Sequence, residues 1–422
     1  MFAGLNKILA ELTMALLKDF FYQHDSEGLK GVSHKNMLIK QSIIAYMAVA
    51  GQSTLAELTK ALHISVPTMT KLVGELVEEN IVVDNGKVET SGGRRPNIFG
   101  LANTAIYFTG VDIGRDYICM IVTDLKNNII VSQTHTPFAL TDEARCLADI
   151  CQRINDFLDT CGIERNKILG MGVCIAGRVN PETGHSYMYF TEGGKSLKEV
   201  IEEATGINVL VENDTRARCY AEYYADDQNK VKNLLYLHLG RGVAIGIIAD
   251  GKLYYGKSGF AGEFGHTPFF NNEIICVCGK KGCLETEVSG IAIENKIVGQ
   301  IASGVNTILR DKWAAGETIH IDDIINAAKN DDNLSIELIE EAGEKIGKSI
   351  AFLINIFNPE EVIIGGNMAQ AGDYLMLPLK SATNKYSMNL VYKDTTFRLS
   401  QMGADAGALG VAMLIRNKVI GL

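Results

Sequence analysis

The run Gly262-Glu263-Phe264-Gly265-His266, followed by Cys276-Val277-Cys278-Gly279-Lys280-Lys281-Gly282-Cys283-Leu284-Glu285, decides how the rest of the chain is read. One His and three Cys fall within a short span punctuated by glycines. A tetrahedral zinc ion needs this arrangement, because four soft or borderline ligands must be gathered by tight turns. His266, Cys276, Cys278 and Cys283 therefore read as a closed, structural zinc site with no position left for water. A site of that kind fixes backbone, and the polar neighbours it would fix are Glu263 and Glu285, which read as ligand-binding groups. The competing reading is three unrelated packed thiols and a His. Glycines between thiols serve metal-loop geometry better than packing, which favours the metal.

The same run resembles the signature of the ROK family, the repressors, open reading frames and kinases of sugar metabolism. There, Gly-Glu-aliphatic-Gly-His precedes Cys-x-Cys-Gly-x-x-Gly-Cys-(Leu/Ile)-Glu, and this chain departs only in placing Phe264 at the aliphatic position. The rest of the chain must decide between branches of that family.

A chain of 422 residues with 47% hydrophobic composition can bury a large core, and its length predicts two or three domains. Cys119, Cys146, Cys151, Cys161, Cys174 and Cys219 lack framework-like spacing and read as reduced, packed thiols of a cytoplasmic protein. The start carries no basic segment followed by an apolar core, and no later run stays apolar for ~18 residues, so neither secretion nor membrane spanning is expected. The net charge of −10 speaks against a general polyanion binder. Residues 1–96 are neutral, however, so the negative charge sits in the remainder, and a neutral head on an acidic body permits a local DNA-binding face.

Within that head, Leu5 to Phe21 has apolar residues at helical spacing and reads as an amphipathic helix of undetermined role. Gly28 to His34 reads as a connection and Asn36 to Ala50 as a second helix. A helix-turn-helix spacing follows. Ser53-Thr54 can cap a short helix Leu55 to Leu62, His63-Ile64-Ser65 breaks it, and Val66 to Glu79 makes a longer helix. The apolar positions fill a small core and leave Ser65, Pro67, Thr68, Thr70 and Lys71 at the exposed start of the second helix, where a recognition helix meets DNA. Ile81-Val82-Val83 and Lys87-Val88-Glu89 read as two strands around a tight turn at Asp84-Asn85-Gly86. The whole resembles a winged helix-turn-helix of bacterial regulators. A three-helix protein-interaction module would share the helix spacing. Ser91-Gly92-Gly93-Arg94-Arg95-Pro96 favours DNA, because Arg94 and Arg95 beside glycines suit a narrow, electronegative minor groove.

From Ala105 the pattern turns to strands: Ile106 to Ile113, Tyr117 to Asp124 and Asn128 to Gln133. It returns at Asn233 to Leu239, Val243 to Ala249 and Lys252 to Tyr255. Two such meanders, each followed by helical segments, predict a duplicated α/β body with a cleft between its halves. The repeat resembles the actin-like fold, also called ribonuclease H-like or sugar kinase/heat-shock ATPase. Expected boundaries are 1–96 for the head, 97–213 with 400–422 for the first lobe, and 214–399 for the second lobe with the zinc site.

The resemblance implies ATP-binding turns, and here the chain departs from the kinases. Their Asp-x-Gly-Gly-Thr is Asp112-Ile113-Gly114-Arg115-Asp116, which removes a small residue and puts a carboxylate beside where a triphosphate would lie. Their Gly-Thr-Gly is Gly240-Arg241-Gly242, while Asn358-Pro359-Glu360 through Gly365-Gly366 matches well. On the sugar side Val211-Glu212-Asn213-Asp214 matches the family's strand-end Asn-Asp, and Asn180 replaces the Asp of a Gly-x-Val-Asp loop. By resemblance, Asn213, Asp214, Glu263, His266 and Glu285 would line one sugar pocket. The expectation is a sugar-responsive regulator, a repressor, that binds operator DNA as a homodimer or dimer of dimers and takes a sugar or sugar phosphate as effector. The alternative is an ATP-dependent sugar kinase of the glucose or N-acetylmannosamine type, with Asp214 as general base.

Overall fold

A computed structural model describes residues 32–87, 96–102, 106–191, 194–225 and 231–422. The expected helix Leu5 to Phe21, the segment Val88-Glu89 and the arginines Arg94 and Arg95 lie outside the described residues. The chain divides into two compact units, Met1–Ala217 with Ala404–Leu422, and Arg218–Gly403.

The first unit opens with helix α1 (Val32–Ala50), which starts four residues before the expected Asn36. Ser33 thus lies in a first turn, where backbone N–H groups have no intrahelical partner and serine is tolerated. Strand β1 (Ser53–Thr54) leads into α2 (Leu55–Leu62), capped as expected. Thr54 Oγ1 accepts from the Glu57 N–H at 3.3 Å, and the Glu57 carboxylate accepts from the Thr54 N–H at 2.8 Å. His63, left-handed at φ 53°, ends the helix, and α3 (Val66–Glu78) follows with Pro67 in its first turn. Met69, Leu72, Val73 and Leu76 bury one face of α3 against Leu58, Ile43, Ile44 and Met47.

The strands differ from the expected hairpin, because residues 84–86 continue a strand instead of reversing it. Strand β2 (Val82–Lys87) runs through Asp84-Asn85-Gly86, and its partner is β3 (Asn97–Leu101). The turn-like residues form a bulge, in which Asp84 accepts from the Gly86 N–H at 2.9 Å and from Asn97 Nδ2 at 2.6 Å. Together β1, β3 and β2 make a three-stranded antiparallel sheet.

A five-stranded sheet then forms from β4 (Tyr107–Ile113), β5 (Tyr117–Asp124) and β6 (Ile129–Pro137), an antiparallel meander. After α4 (Ala144–Thr160), β7 (Ile168–Ile175) joins parallel to β4. The two-residue strands β8 (Val179–Asn180) and β9 (His185–Ser186) form a hairpin, and α5 (Leu197–Thr205) precedes β10 (Val209–Asn213), parallel to β7. Helix α6 (Asp214–Ala225) begins at the residue after β10.

The second unit repeats this plan. Strands β11 (Leu234–Leu239), β12 (Val243–Ala249) and β13 (Lys252–Leu253) form the meander. Helices α7 (Glu285–Val288), α8 (Gly290–Ala302), α9 (Arg310–Ala314), α10 (Ile321–Lys329) and α11 (Asn333–Phe357) precede β14 (Glu361–Gly365). Helices α12 (Asp373–Tyr386) and α13 (Asn389–Asp394) precede β15 (Thr396–Leu399). The order β13-β12-β11-β14-β15 matches β6-β5-β4-β7-β10 strand for strand, so the duplication predicted from the two meanders extends to the parallel strands.

Helix α14 (Ala406–Ile420) returns to the first unit and lies against β4 and β7. Its approach requires Gly110 and Gly172, because a Cβ on either would collide with the carbonyl of Ala408 or Val411. The end of α14 closes the core of the head, where Ile415, Val419 and Ile420 join Ile43, Phe99 and Phe108 in one apolar cluster. No helix among the described residues is long and apolar enough to cross a membrane.

Candidate functional site

The His-Cys run folds as a compact loop hung on β12. Gly262, at φ 98°, sits so close to Ile245 that only hydrogen fits, and the Ile245 N–H donates to the Gly262 carbonyl at 3.0 Å. A single 3₁₀ turn, Phe264–His266, then aims the imidazole inward. The chain returns through bridges that pair Pro268 with Cys283 and Ile275 with Lys281. Between the thiols, Gly279 and Gly282 both take positive φ (81° and 75°), which lets the loop reverse twice.

The consequence is a cluster in which one ligand atom each from His266, Cys276, Cys278 and Cys283 lies within 4.8 Å of all the others. His266 Nδ1 is 3.4 Å from Cys276 Sγ, and Cys278 Sγ is 3.6 Å from Cys283 Sγ. Four such atoms surrounding one point form a possible metal-binding group. Cys276 and Cys283 are buried, and burial pushes the Cys283 thiol up to about 12, with its two thiol neighbours adding to the effect. Burial also raises Cys276. Cys278 is held below its usual value, because hydrogen bonding from the Lys280 backbone and the neighbouring thiols outweighs burial.

The loop is pinned at its base by charge. Asn272 Nδ2 donates to Glu287 at 2.7 Å, and Lys345 Nζ and Lys296 Nζ reach the same carboxylate at 2.6 and 3.1 Å. Burial works to raise the Glu287 pKa, but those three hydrogen bonds outweigh it and take the carboxyl down to about 2. The two carboxylates singled out in the sequence lie at the edges of the cluster. Glu263 Oε2 is 3.8 Å from His266 Nε2. Glu285 Oε1 is 3.9 Å from Cys276 Sγ, while its Oε2 accepts from the Val243 N–H at 3.0 Å. Glu285 thus ties the cluster to the turn before β12, which is Gly240-Arg241-Gly242.

Asn213 and Asp214 belong to the first unit, at the junction of β10 and α6. Asn213 Nδ2 donates to the Gly177 carbonyl and to Asp214 Oδ1, both at 2.9 Å, and the Thr215 N–H donates to Asp214 Oδ1 at 2.8 Å. Asn180, at the end of β8, uses its Oδ1 to accept the Glu182 and Thr183 N–H groups and so shapes the β8–β9 hairpin.

Sequence reasoning missed two features here. Tyr117 lays its ring over Gly114 so closely that a Cβ there would collide with it, and its hydroxyl donates to buried Asp112 Oδ2 at 3.1 Å. The first glycine turn is therefore covered by the chain's own phenol. The second is the pair Glu212 and Arg216, buried under Asn213. Its signal was present in the i, i+4 spacing, which more often marks an exposed helix pair.

In the head, Ser65, Pro67, Thr70 and Lys71 are exposed and Thr68 is partly so. Ser65 Oγ lies 2.9 Å from Thr68 Oγ1, Thr70 Oγ1 donates to the Val66 carbonyl, and Lys71 is 3.8 Å from Glu75. These five residues stand together at the first turns of α3, as the spacing predicted.

Comparison with known proteins bears on this geometry. The model of the ROK family matches residues 108–418, which takes in both five-stranded sheets and the His-Cys loop. The chain belongs to the ROK family. A xylose repressor of Caldicellulosiruptor bescii is 29% identical over 364 residues, covering 86% of this chain and 91% of that protein. A glucokinase of Halalkalibacterium halodurans is 30% identical over 319 residues, covering 74% of this chain and 96% of the kinase. Among solved structures, a ROK-family transcriptional regulator described as a homologue of the Escherichia coli MLC protein superposes with a TM-score of 0.78 at 26% identity. That superposition covers 92% of this chain and 97% of the regulator. The ROK body is the actin-like, sugar-kinase type of α/β fold, in accord with the two sheets of identical strand order.

Proposed function

We propose that this chain is a sugar-responsive transcriptional repressor. The observation that carries the reading is the reach of the matches. The repressor match of 364 residues is longer than the stretch from residue 108 to the C-terminus, so it takes in part of the head, whereas the glucokinase match of 319 residues is about the length of the body alone.

In this reading α2, the turn at His63 to Ser65, α3 and the β2–β3 strands form a winged helix-turn-helix. Ser65, Pro67, Thr68, Thr70 and Lys71 meet the major groove, and Arg94 and Arg95 enter the adjacent minor groove. A head of this size has limited specific affinity, so a homodimer or dimer of dimers presents heads to paired half-sites. His266, Cys276, Cys278 and Cys283 hold a structural zinc, a donor set and spacing that suit the ion. When bound, it supplies rigidity only, because a closed four-ligand site leaves no open position for water. The effector is a sugar or sugar phosphate, with Asn213, Asp214, Glu263, His266 and Glu285 as its ligands. Hydrogen bonds from sugar hydroxyls to these groups favour one conformation of the body over another, and linkage then changes DNA affinity by the same factor.

The glucokinase similarity and the retained Asp214 favour a sugar kinase as the second reading. Against it stand Tyr117, which covers the first glycine turn, and Arg115-Asp116 in place of that turn's Gly-Thr. Calorimetry of the metal-replete protein against D-xylose, D-glucose, N-acetyl-D-glucosamine and their phosphates, with and without ATP, tests both. Binding of one sugar without ATP consumption, lost in Glu263→Ala, is expected. Sugar-dependent ATP consumption would establish the kinase, with Asp214 as base.

A further inference from the structure

Arg216 carries a charge into the interior, 4% exposed, directly beneath the Asn213–Asp214 pair, and its partner Glu212 is fully buried. The Arg216 guanidinium meets Glu212 Oε1 at 2.7 Å through both Nε and Nη2. The same carboxylate oxygen accepts from the Asn213 backbone N–H at 2.6 Å, and the Arg216 N–H donates to Asn213 Oδ1 at 3.0 Å. The guanidinium also reaches out of β10 and α6, since Nη2 donates to the Val179 carbonyl at 3.3 Å. Two residues earlier in that loop, the Gly177 carbonyl accepts from Asn213 Nδ2. Asn213 and Arg216 therefore grip the Gly177–Val179 loop at two points, and both grips depend on Glu212.

Stability alone is a poor reason for this arrangement. Desolvating two charges is costly, and replacing a buried ion pair by apolar residues of similar volume is often neutral or stabilising. What an apolar pair cannot do is make hydrogen bonds to two backbone groups on different segments, the Asn213 N–H and the Val179 carbonyl, at once. A lysine cannot do it either, because it lacks the planar fork.

We propose that Arg216 is a positioning residue for the sugar subsite: with Glu212 it fixes Asn213 and Asp214 in register with the Gly177–Asn180 loop, so that these groups meet the hydroxyls of a sugar ring together. The inference rests on the sugar-sensor reading and adds to it residues that touch no ligand.

The test compares the full-length wild type with Arg216→Lys and with the double variant Glu212→Leu, Arg216→Met. Calorimetry uses D-xylose, D-glucose and N-acetyl-D-glucosamine as probes, and thermal melts and amide hydrogen exchange are followed on the same samples. The expected result is at least a ~10-fold loss of affinity for whichever probe the wild type binds. The double variant should melt within about 4 °C of the wild type. Amide exchange should rise ~10-fold in segments 176–190 and 211–216 and stay unchanged in the second unit. Should Arg216→Lys fail to fold, the double variant carries the comparison. Wild-type affinity in the folded variant would overturn the positioning role and leave the sensor reading intact. Unchanged exchange in both segments would overturn it without reference to any sugar. Absence of binding by the wild type to every probe would remove the sensor reading and this inference with it.

Discussion

The two sets of polar residues proposed to meet the effector are held by opposite means. Glu263 and His266 stand on a long irregular loop, and Glu285 at the start of α7 that ends it, around a cluster of His266 and three cysteines. Asn213 and Asp214 stand at a strand end, with a buried ion pair underneath and the apolar strand residues Val209 and Val211 behind. Phe264 and Leu284 anchor the two ends of the loop in the core of the second unit, while Ile274, Ile275 and Val277 at its tip face outward. Hydrophobic burial does not reach that tip, and in the proposed reading a cation held by the four ligands orders it, whereas the strand end carries its own counter-charge. The difference teaches that precise placement of a polar group needs a rigid partner, and that the partner follows from how much core lies nearby.

The largest effect should come from the metal side. Cys283→Ser should reduce bound zinc, measured by atomic emission, from one per chain to near zero. It should also open residues 262–285 to proteolysis, because structural zinc sites supply on the order of 10 kcal/mol to small domains. A loop that stays protected without metal would break the comparison. Arg216→Ala comes next. It leaves Glu212 as a buried charge without its guanidinium, and a loss of about 3–5 kcal/mol is expected in the denaturant-induced unfolding of the first unit.

A smaller effect separates the loop's base from its tip. Burial is outweighed by the hydrogen bonds from Lys345, Lys296 and Asn272, which take the Glu287 carboxyl from its ordinary 4.5 down to about 2, so its stabilising contribution is present above the unfolded value and is lost as pH falls from 4.5 toward 2. Glu287→Gln should therefore flatten the acid limb of stability in that window and lower stability at neutral pH. An unchanged acid limb would mean that Lys345 and Lys296 are not what anchors the loop. Smallest is Thr54→Ala in the head, which removes a capping box and should cost about 1 kcal/mol by thermal melt, with no change in metal content.

Much of this was legible because it is encoded at short range. The spacing of His266, Cys276, Cys278 and Cys283 required only two glycine reversals to become a cluster. The bounds of α2 and the cap at Thr54 followed from residues adjacent in the chain. Where short-range signals misled, a distant partner had intervened. Asp84-Asn85-Gly86 has the composition of a hairpin turn, yet pairing with Asn97 and its neighbours drew it into a continuous strand as a bulge. Tyr117 carried no signal at all, because its contact with Gly114 and Asp112 exists only once β4 and β5 are paired.

The sequence by itself determined the family, the grouping of His266 with the three cysteines, the two meanders and the helix pair of the head. Each rests on residues a few positions apart, whose relation is set by turn geometry and helical or strand periodicity. Only the tertiary structure decided that the two sheets share one strand order, that Glu285 reaches the backbone of Val243, and that Glu212 and Arg216 lie in the interior under Asn213. Those facts depend on which surfaces exclude water from one another, and exclusion is a property of packing between segments far apart in the chain.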